Sequence, residues 1–101
     1  MTEFKKALRT AEVPPGCAKE VEVEGKALSV FNVNGTFYAL DDICPHKGGP
    51  LSEGSLEGTV VTCPWHGWKF DVQTGISPIN PQAQTQTYPV KVEGDDILVA
   101  V

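Results

Sequence analysis

The chain has 101 residues, a formal net charge of −5, 41% hydrophobic residues and three cysteines. This size suits a single domain over residues 1–101 and leaves no space for a second, catalytic domain. Nucleic-acid binding is not expected, because the phosphates would repel an acidic surface. The charge fits two interpretations, ordinary solubility and attraction to a basic surface on a partner.

The chain shows no targeting or membrane segment. The first ten residues contain no apolar run of signal-peptide length, and no stretch reaches the roughly 18 apolar residues of a membrane-spanning helix. We therefore expect a cytoplasmic protein without membrane contact. Disulfides are rare in that compartment, so Cys17 is expected to be an inert thiol rather than a redox sensor or an intermolecular bridge.

In chain order, the sequence predicts short β-strands joined by turns. Residues 20–24 alternate acidic and apolar side chains, as a half-buried strand does. The β-rich runs 27–33 and 36–40 are joined by Asn34-Gly35, which suits a hairpin turn that needs positive φ angles. Further strands are predicted at 59–62, 68–72, 88–92 and 97–101.

Helical periodicity is weak throughout, and the first ten residues come closest to it. Residues 42–82 are rich in proline and glycine and predict an insertion built mainly of loops. The sequence therefore predicts an all-β, antiparallel framework that carries this insertion.

Two segments of the insertion each combine one cysteine with one histidine. Cys44-Pro45-His46 is followed later by Cys63-Pro64-Trp65-His66, and together they contain both histidines of the chain. Two thiolates and two imidazoles suit a zinc ion. They also suit a [2Fe–2S] cluster in which two histidines replace two cysteines on one iron. Usual zinc sites place two cysteines in one segment and two histidines on a helix. Here each segment contains one cysteine and one histidine and no helix follows, which favours the cluster.

The two segments resemble the Cys-x-His and Cys-x-x-His signatures of the Rieske family. The resemblance extends over the glycine turn at 48–51, a third loop at 78–81 and a closing hairpin at 88–95, and so covers nearly the whole chain. It implies a Rieske-like antiparallel β sandwich or barrel with a loop-built cluster-binding subdomain. It also implies one [2Fe–2S] cluster per chain, whose inner iron is bound by Cys44 and Cys63 and whose outer iron by His46 and His66.

The resemblance also predicts a reduction potential at the low end of the Rieske range of about −150 to +300 mV. Trp68 and Phe70 stand where the high-potential respiratory branch has a serine and a tyrosine whose hydroxyls stabilise the reduced cluster. Gly49 and Trp65 stand where that branch has a pair of cysteines that form a disulfide.

The resemblance implies a free ferredoxin that passes electrons from a flavin-dependent reductase to a terminal, aromatic-ring-hydroxylating oxygenase. Both partners are expected to dock near His46 and His66. The alternative is the small Rieske subunit of an assimilatory nitrite reductase. An oxygenase is excluded, because its mononuclear iron would need two further histidines. The chain also has no Gly-x-Gly-x-x-Gly fingerprint for a dinucleotide. We therefore predict an electron-transfer component and not an enzyme.

Overall fold

The computed structural model describes residues 4–42, 50–64, 67–79, 82 and 84–100. Every strand pairing among these residues is antiparallel, which confirms the predicted all-β framework. The strands are β1 (Phe4–Arg9), β2 (Ala18–Val23), β3 (Lys26–Val33), β4 (Thr36–Asp41), β5 (Ser55–Glu57), β6 (Val60–Thr62), β7 (Lys69–Asp71), β8 (Thr87–Tyr88), β9 (Val90–Glu93) and β10 (Asp96–Ala100).

The described strands form three sheets, with the orders β1-β10-β9, β2-β3-β4-β8 and β5-β6-β7. Two short 3₁₀ turns, Thr10–Glu12 and Leu51–Glu53, precede the second and third sheets in the chain. Among the described residues, no helix is long and apolar enough to cross a membrane.

The β3–β4 hairpin has the predicted Asn34-Gly35 turn. Both residues have positive φ angles, 52° at Asn34 and 93° at Gly35, and Val33 pairs with Thr36 across the turn. These angles match the right-handed twist of the two strands, which explains why the Asn-Gly pair identified the turn correctly.

The four-stranded sheet contributes side chains to two separate cores, because neighbouring residues of a strand point to opposite faces. Val30 and Ala39 belong to one core, and the adjacent Phe31 and Leu40 belong to the other. The first core joins this sheet to β1 and β10. The second core, which we call the cluster-side core, consists of Phe31, Leu40, Leu51, Val61, Cys63, Phe70 and Val72.

The N-terminal segment shows where the sequence pattern was misleading. Residues 4–9 form strand β1, although the first ten residues come closest to helical periodicity. The register of β1 against β10 shifts between Lys6 and Leu8. This irregularity lets the adjacent residues Ala7 and Leu8 both pack on the first core, which breaks the alternation of a regular strand.

The predicted insertion is more regular than its composition indicates. Strands β6 and β7 lie where strands were predicted, but β5 was not predicted. Leu56 of β5 pairs with Val61, which in turn pairs with Phe70 of β7. The three short strands thus present apolar side chains to the cluster-side core. The assignment of the whole chain to a single domain stays a prediction.

Candidate metal centre

Of the four predicted ligands, Cys63 lies within the described residues. Cys44, His46 and His66 lie outside them, as do Trp65 and the glycine turn residues 48 and 49. Among the described residues, no group of three or more His, Cys, Asp or Glu side chains could hold a metal ion. Cys63 and the described residues that flank the undescribed segments form what we call the frame of the site.

Cys63 directly follows strand β6 and is 1% exposed. Its side chain lies in the cluster-side core with Leu51, Val61 and Phe70. It forms no disulfide. A thiolate surrounded by apolar side chains would be unfavourable without an adjacent cation, so this position fits an iron ligand that is kept away from water.

Backbone hydrogen bonds connect Cys63 to the residues that lead into strand β7. The Cys63 N–H donates a hydrogen bond to the Trp68 carbonyl at 2.6 Å, and the Gly67 N–H donates one to the Cys63 carbonyl at 3.0 Å. Gly67 has a φ of 72°, which an L-amino acid with a side chain rarely adopts. The described residues on the two sides of Trp65 and His66 are therefore joined by backbone hydrogen bonds.

The two residues compared above with the respiratory branch face the cluster-side core. Phe70 is fully buried, and Trp68 is half-buried and packs against the same core. Both side chains lack a hydroxyl, so the prediction of a low potential stands on residue type and on this placement.

The third loop starts and ends on residues that are fixed to β7. The Gly75 N–H donates to the Asp71 carbonyl, and the Asp71 N–H donates to the Ile76 carbonyl, at 2.7 and 3.0 Å. On the returning side, the Thr85 N–H donates to the Gly75 carbonyl at 2.7 Å. Between these anchors the side chain of Ile79 is 70% exposed. Asn80, Pro81 and Ala83 lie outside the described residues.

Acidic groups collect beside the start of the first ligand segment. The carboxyl of Glu20 shares a hydrogen bond with Asp42, and this bond together with repulsion from Asp42, Glu53 and Glu22 raises the pKa of Glu20. Negative charge at Asp42, two residues before the proposed ligand Cys44, opposes the reduction of a cluster bound there. It therefore lowers the expected potential, as the missing hydroxyls do.

Three residues that shape this frame were not predicted from the sequence. Asp42 accepts hydrogen bonds from the residues that follow the first ligand segment, and Gly54 and Gly75 lie against neighbouring backbone. The glycines were visible in the sequence only as general turn signals. Asp42 was visible only as one of two consecutive aspartates two residues before Cys44.

The chain belongs to the Rieske [2Fe–2S] domain family, whose model matches residues 3–89. This confirms the resemblance that was seen in the two cysteine–histidine segments. The family also decides between the two candidate cofactors, because the cofactor of this domain is a [2Fe–2S] cluster and not a zinc ion.

The chain is 42% identical over 94 residues to the ferredoxin component of a naphthalene 1,2-dioxygenase system of Pseudomonas aeruginosa, covering 92% of this chain and 90% of that protein. It is 43% identical over 98 residues to the biphenyl dioxygenase ferredoxin subunit of Pseudomonas sp. strain KKS102, covering 95% and 90%. These relatives are ferredoxins and not oxygenases, in agreement with the predicted electron-transfer component.

A similar solved structure is a complex of reduced oxygenase and oxidized ferredoxin in carbazole 1,9a-dioxygenase. The matching chain has a TM-score of 0.86 and 34% identity, with 96% of this chain and 92% of that chain covered. A nitrite reductase small subunit from Mycobacterium tuberculosis has a TM-score of 0.92, with 100% and 96% covered, but only 22% identity. That second likeness shows the fold alone.

Proposed function

We propose that this chain is a cytoplasmic ferredoxin that passes single electrons from a flavin-dependent reductase to a terminal oxygenase of aromatic rings. The observation that carries the proposal is the sequence identity of 42% and 43%, over nearly the whole chain, to ferredoxins of two aromatic dioxygenase systems. The nitrite reductase alternative has weaker support, because its likeness does not extend beyond the fold.

The proposed ligands of one [2Fe–2S] cluster per chain are Cys44, His46, Cys63 and His66. The burial of Cys63 among apolar side chains supports its role at the inner iron. When bound, such a cluster accepts and returns one electron at a time. The cluster-side core keeps water away from Cys63. The proposed docking region for both partners surrounds His46 and His66.

The ligand set is tested by substituting a cysteine inside the core and a cysteine outside it. Cys63→Ser should abolish or severely reduce the iron and sulfide content and the visible absorbance of the purified protein. The matched control is Cys17→Ser, because Cys17 is exposed and lies outside both cores. Equal cluster content in both variants would overturn the assignment of Cys63.

The electron-transfer role is tested with the wild-type protein, a flavin-dependent reductase of an aromatic dioxygenase system and NADH. The expected result is bleaching of the cluster absorbance under anaerobic conditions, followed by reoxidation when an oxidised terminal oxygenase is added. A cluster that is reduced by dithionite, but by no such reductase, would contradict the proposed role.

A further inference from the structure

Asp42 makes hydrogen bonds on both sides of the first ligand segment. Its own N–H donates to the Ala27 carbonyl at 3.0 Å, so it continues the ladder between β3 and β4 by one residue. Its carbonyl accepts from the Leu51 N–H at 2.6 Å, and its carboxylate Oδ1 accepts from the Ser52 N–H at 2.8 Å. The residue is 2% exposed.

These bonds join the two ends of the stretch that contains Cys44 and His46. Asp42 stands before this stretch, and Leu51 and Ser52 stand after it. Leu51 is fully buried in the cluster-side core, which also contains Cys63. The same contacts therefore join the two flanks of this stretch and hold Leu51 in the core that supplies another proposed ligand.

We propose that Asp42 is a positioning residue of the metal centre, which joins the two flanks of the stretch containing Cys44 and His46 and anchors Leu51 in the core that contains Cys63. The inference rests on the ligand set proposed above. Without these bonds, closing the stretch would cost conformational entropy that the metal centre itself would have to offset.

The carboxylate acts here through its oxygen as an acceptor. A backbone N–H that is even partly shielded from water is costly to leave without a partner, and Ser52, which is partly buried, has no other acceptor among the bonds described for its N–H. Asp42→Asn keeps an oxygen of the same size in the same place, whereas Asp42→Ala removes the acceptor. The pair separates the loss of the hydrogen bond from the loss of the charge.

The experiment compares the release of the cluster from four proteins: wild type, Asp42→Ala, Asp42→Asn and Val99→Ala. Val99 is fully buried in the first core and serves as the control for general destabilisation. Release is followed by visible absorbance in the presence of an iron chelator, at a temperature where far-ultraviolet circular dichroism shows all proteins folded. EPR spectra of the reduced proteins report the surroundings of the cluster.

Asp42→Ala should release the cluster about tenfold faster than wild type or more, as expected for the loss of a buried acceptor. Its EPR spectrum should also change. Val99→Ala should keep the wild-type spectrum and, at a comparable loss of thermal stability, release the cluster more slowly than Asp42→Ala does. Asp42→Asn should recover a release rate and an EPR spectrum close to those of wild type.

Two outcomes would overturn the inference. One is release from Asp42→Ala no faster than from Val99→Ala, with an unchanged EPR spectrum. The other is failure of Asp42→Asn to bind or retain the cluster any better than Asp42→Ala. Both leave the proposed ligand set intact as long as the wild-type protein shows the EPR signal of a [2Fe–2S] cluster. Absence of that signal from wild type would refute the ligand set itself.

Discussion

The hydroxyl of Tyr88 donates a hydrogen bond of 2.7 Å to the carboxylate of Asp41, and so joins β8 to the last residue of β4. A backbone bond of 3.0 Å from the Asp41 N–H to the Gln86 carbonyl reinforces this junction. The ammonium of Lys26 lies 5.6 Å from the centre of the Tyr88 ring. The chain leaves the four-stranded sheet towards the first ligand segment at Asp41 and has returned to it at Tyr88.

This junction predicts a loss of stability at alkaline pH. Burial, followed by the bond to Asp41 and its negative charge, raises the pKa of Tyr88 from 10.0 to about 12. Because the folded protein then holds this proton more tightly than the unfolded chain, the contribution to stability is complete below the unfolded pKa of 10.0 and is lost as the pH rises towards about 12.

The measurement is the urea midpoint between neutral pH and about pH 11, which should fall less in Tyr88→Phe than in wild type. The ultraviolet absorbance of tyrosinate should show one late step that Tyr88→Phe lacks. The matched control is Tyr38→Phe, because Tyr38 is the other tyrosine of the chain. A late step that persists in Tyr88→Phe would contradict the prediction.

A second prediction concerns Asn32, which is 4% exposed and uses both ends of its amide. Its Nδ2 donates to the Val13 carbonyl, and its Oδ1 accepts from the Gly35 N–H, both at 2.7 Å. Asn32→Ala should therefore lower the free energy of unfolding by about 1–3 kcal/mol for each group that loses its partner.

Asn32→Asp separates the two bonds of this amide. It keeps the acceptor for Gly35 but places an oxygen against the Val13 carbonyl, so it should be destabilising at neutral pH and recover in part at acidic pH. Asn34→Asp is the control, because Asn34 is exposed in the turn and aspartate tolerates a positive φ. Urea unfolding of the three variants is the test, and equal stability of Asn32→Asp and Asn34→Asp would show that the amide is not required.

The sequence predicted those parts of the fold in which local chemistry decides the outcome. The Asn34-Gly35 turn and the alternation in β2 need only neighbouring residues, and both were correct. Strand β1 was not predicted, because the register shift that explains its pattern exists only in the pairing with β10. Among the proposed site residues, Cys63 was predicted from the motif, and its role as a ligand stays a prediction. Asp42 was not predicted, since its role depends on contact with Leu51 and Ser52 across a loop.

A third prediction concerns Gly54, where the chain approaches strand β6 without room for a side chain. A Cβ at this position would collide with the carbonyl oxygen of Thr62, the residue before Cys63. Gly54→Ala must therefore displace β5 or β6, at a cost of about 1–3 kcal/mol as in other overpacked positions. The displacement should also reduce cluster retention, because Thr62 precedes a proposed ligand.

The matched control for Gly54 is Gly58→Asn in the adjacent turn. Gly58 has a φ of 60° and open space around its Cα, and asparagine tolerates this conformation better than other residues. Thermal unfolding and cluster content are measured for both variants. Comparable losses in the two would show that the close approach of Gly54 to Thr62 is not the cause.

The fourth prediction is a reduction potential below about +100 mV for the wild-type protein, in the lower part of the range of the class. It follows from the absence of hydroxyls at Trp68 and Phe70 and from the acidic groups near Asp42. Phe70→Tyr places a hydroxyl in the cluster-side core and should raise the potential. Film voltammetry measures both potentials. The control is Phe37→Tyr, which should leave the potential unchanged, because Phe37 packs against the first core.

The last prediction tests His66, the proposed ligand that directly precedes Gly67 in the sequence. His66→Cys should keep a cluster, because a thiolate can also bind iron, but it replaces a neutral ligand by an anionic one. The added negative charge makes the cluster harder to reduce, so the potential should fall by on the order of 100 mV or more, towards that of clusters with four cysteine ligands.

His46→Ala complements this change, since it offers no donor and should lose or destabilise the cluster. Cys17→Ser is the control for changes in thiol number, because Cys17 is exposed and outside the proposed ligand set. Its voltammogram should match that of wild type. A voltammogram of His66→Cys that also matches wild type would show that His66 is not a ligand of the outer iron.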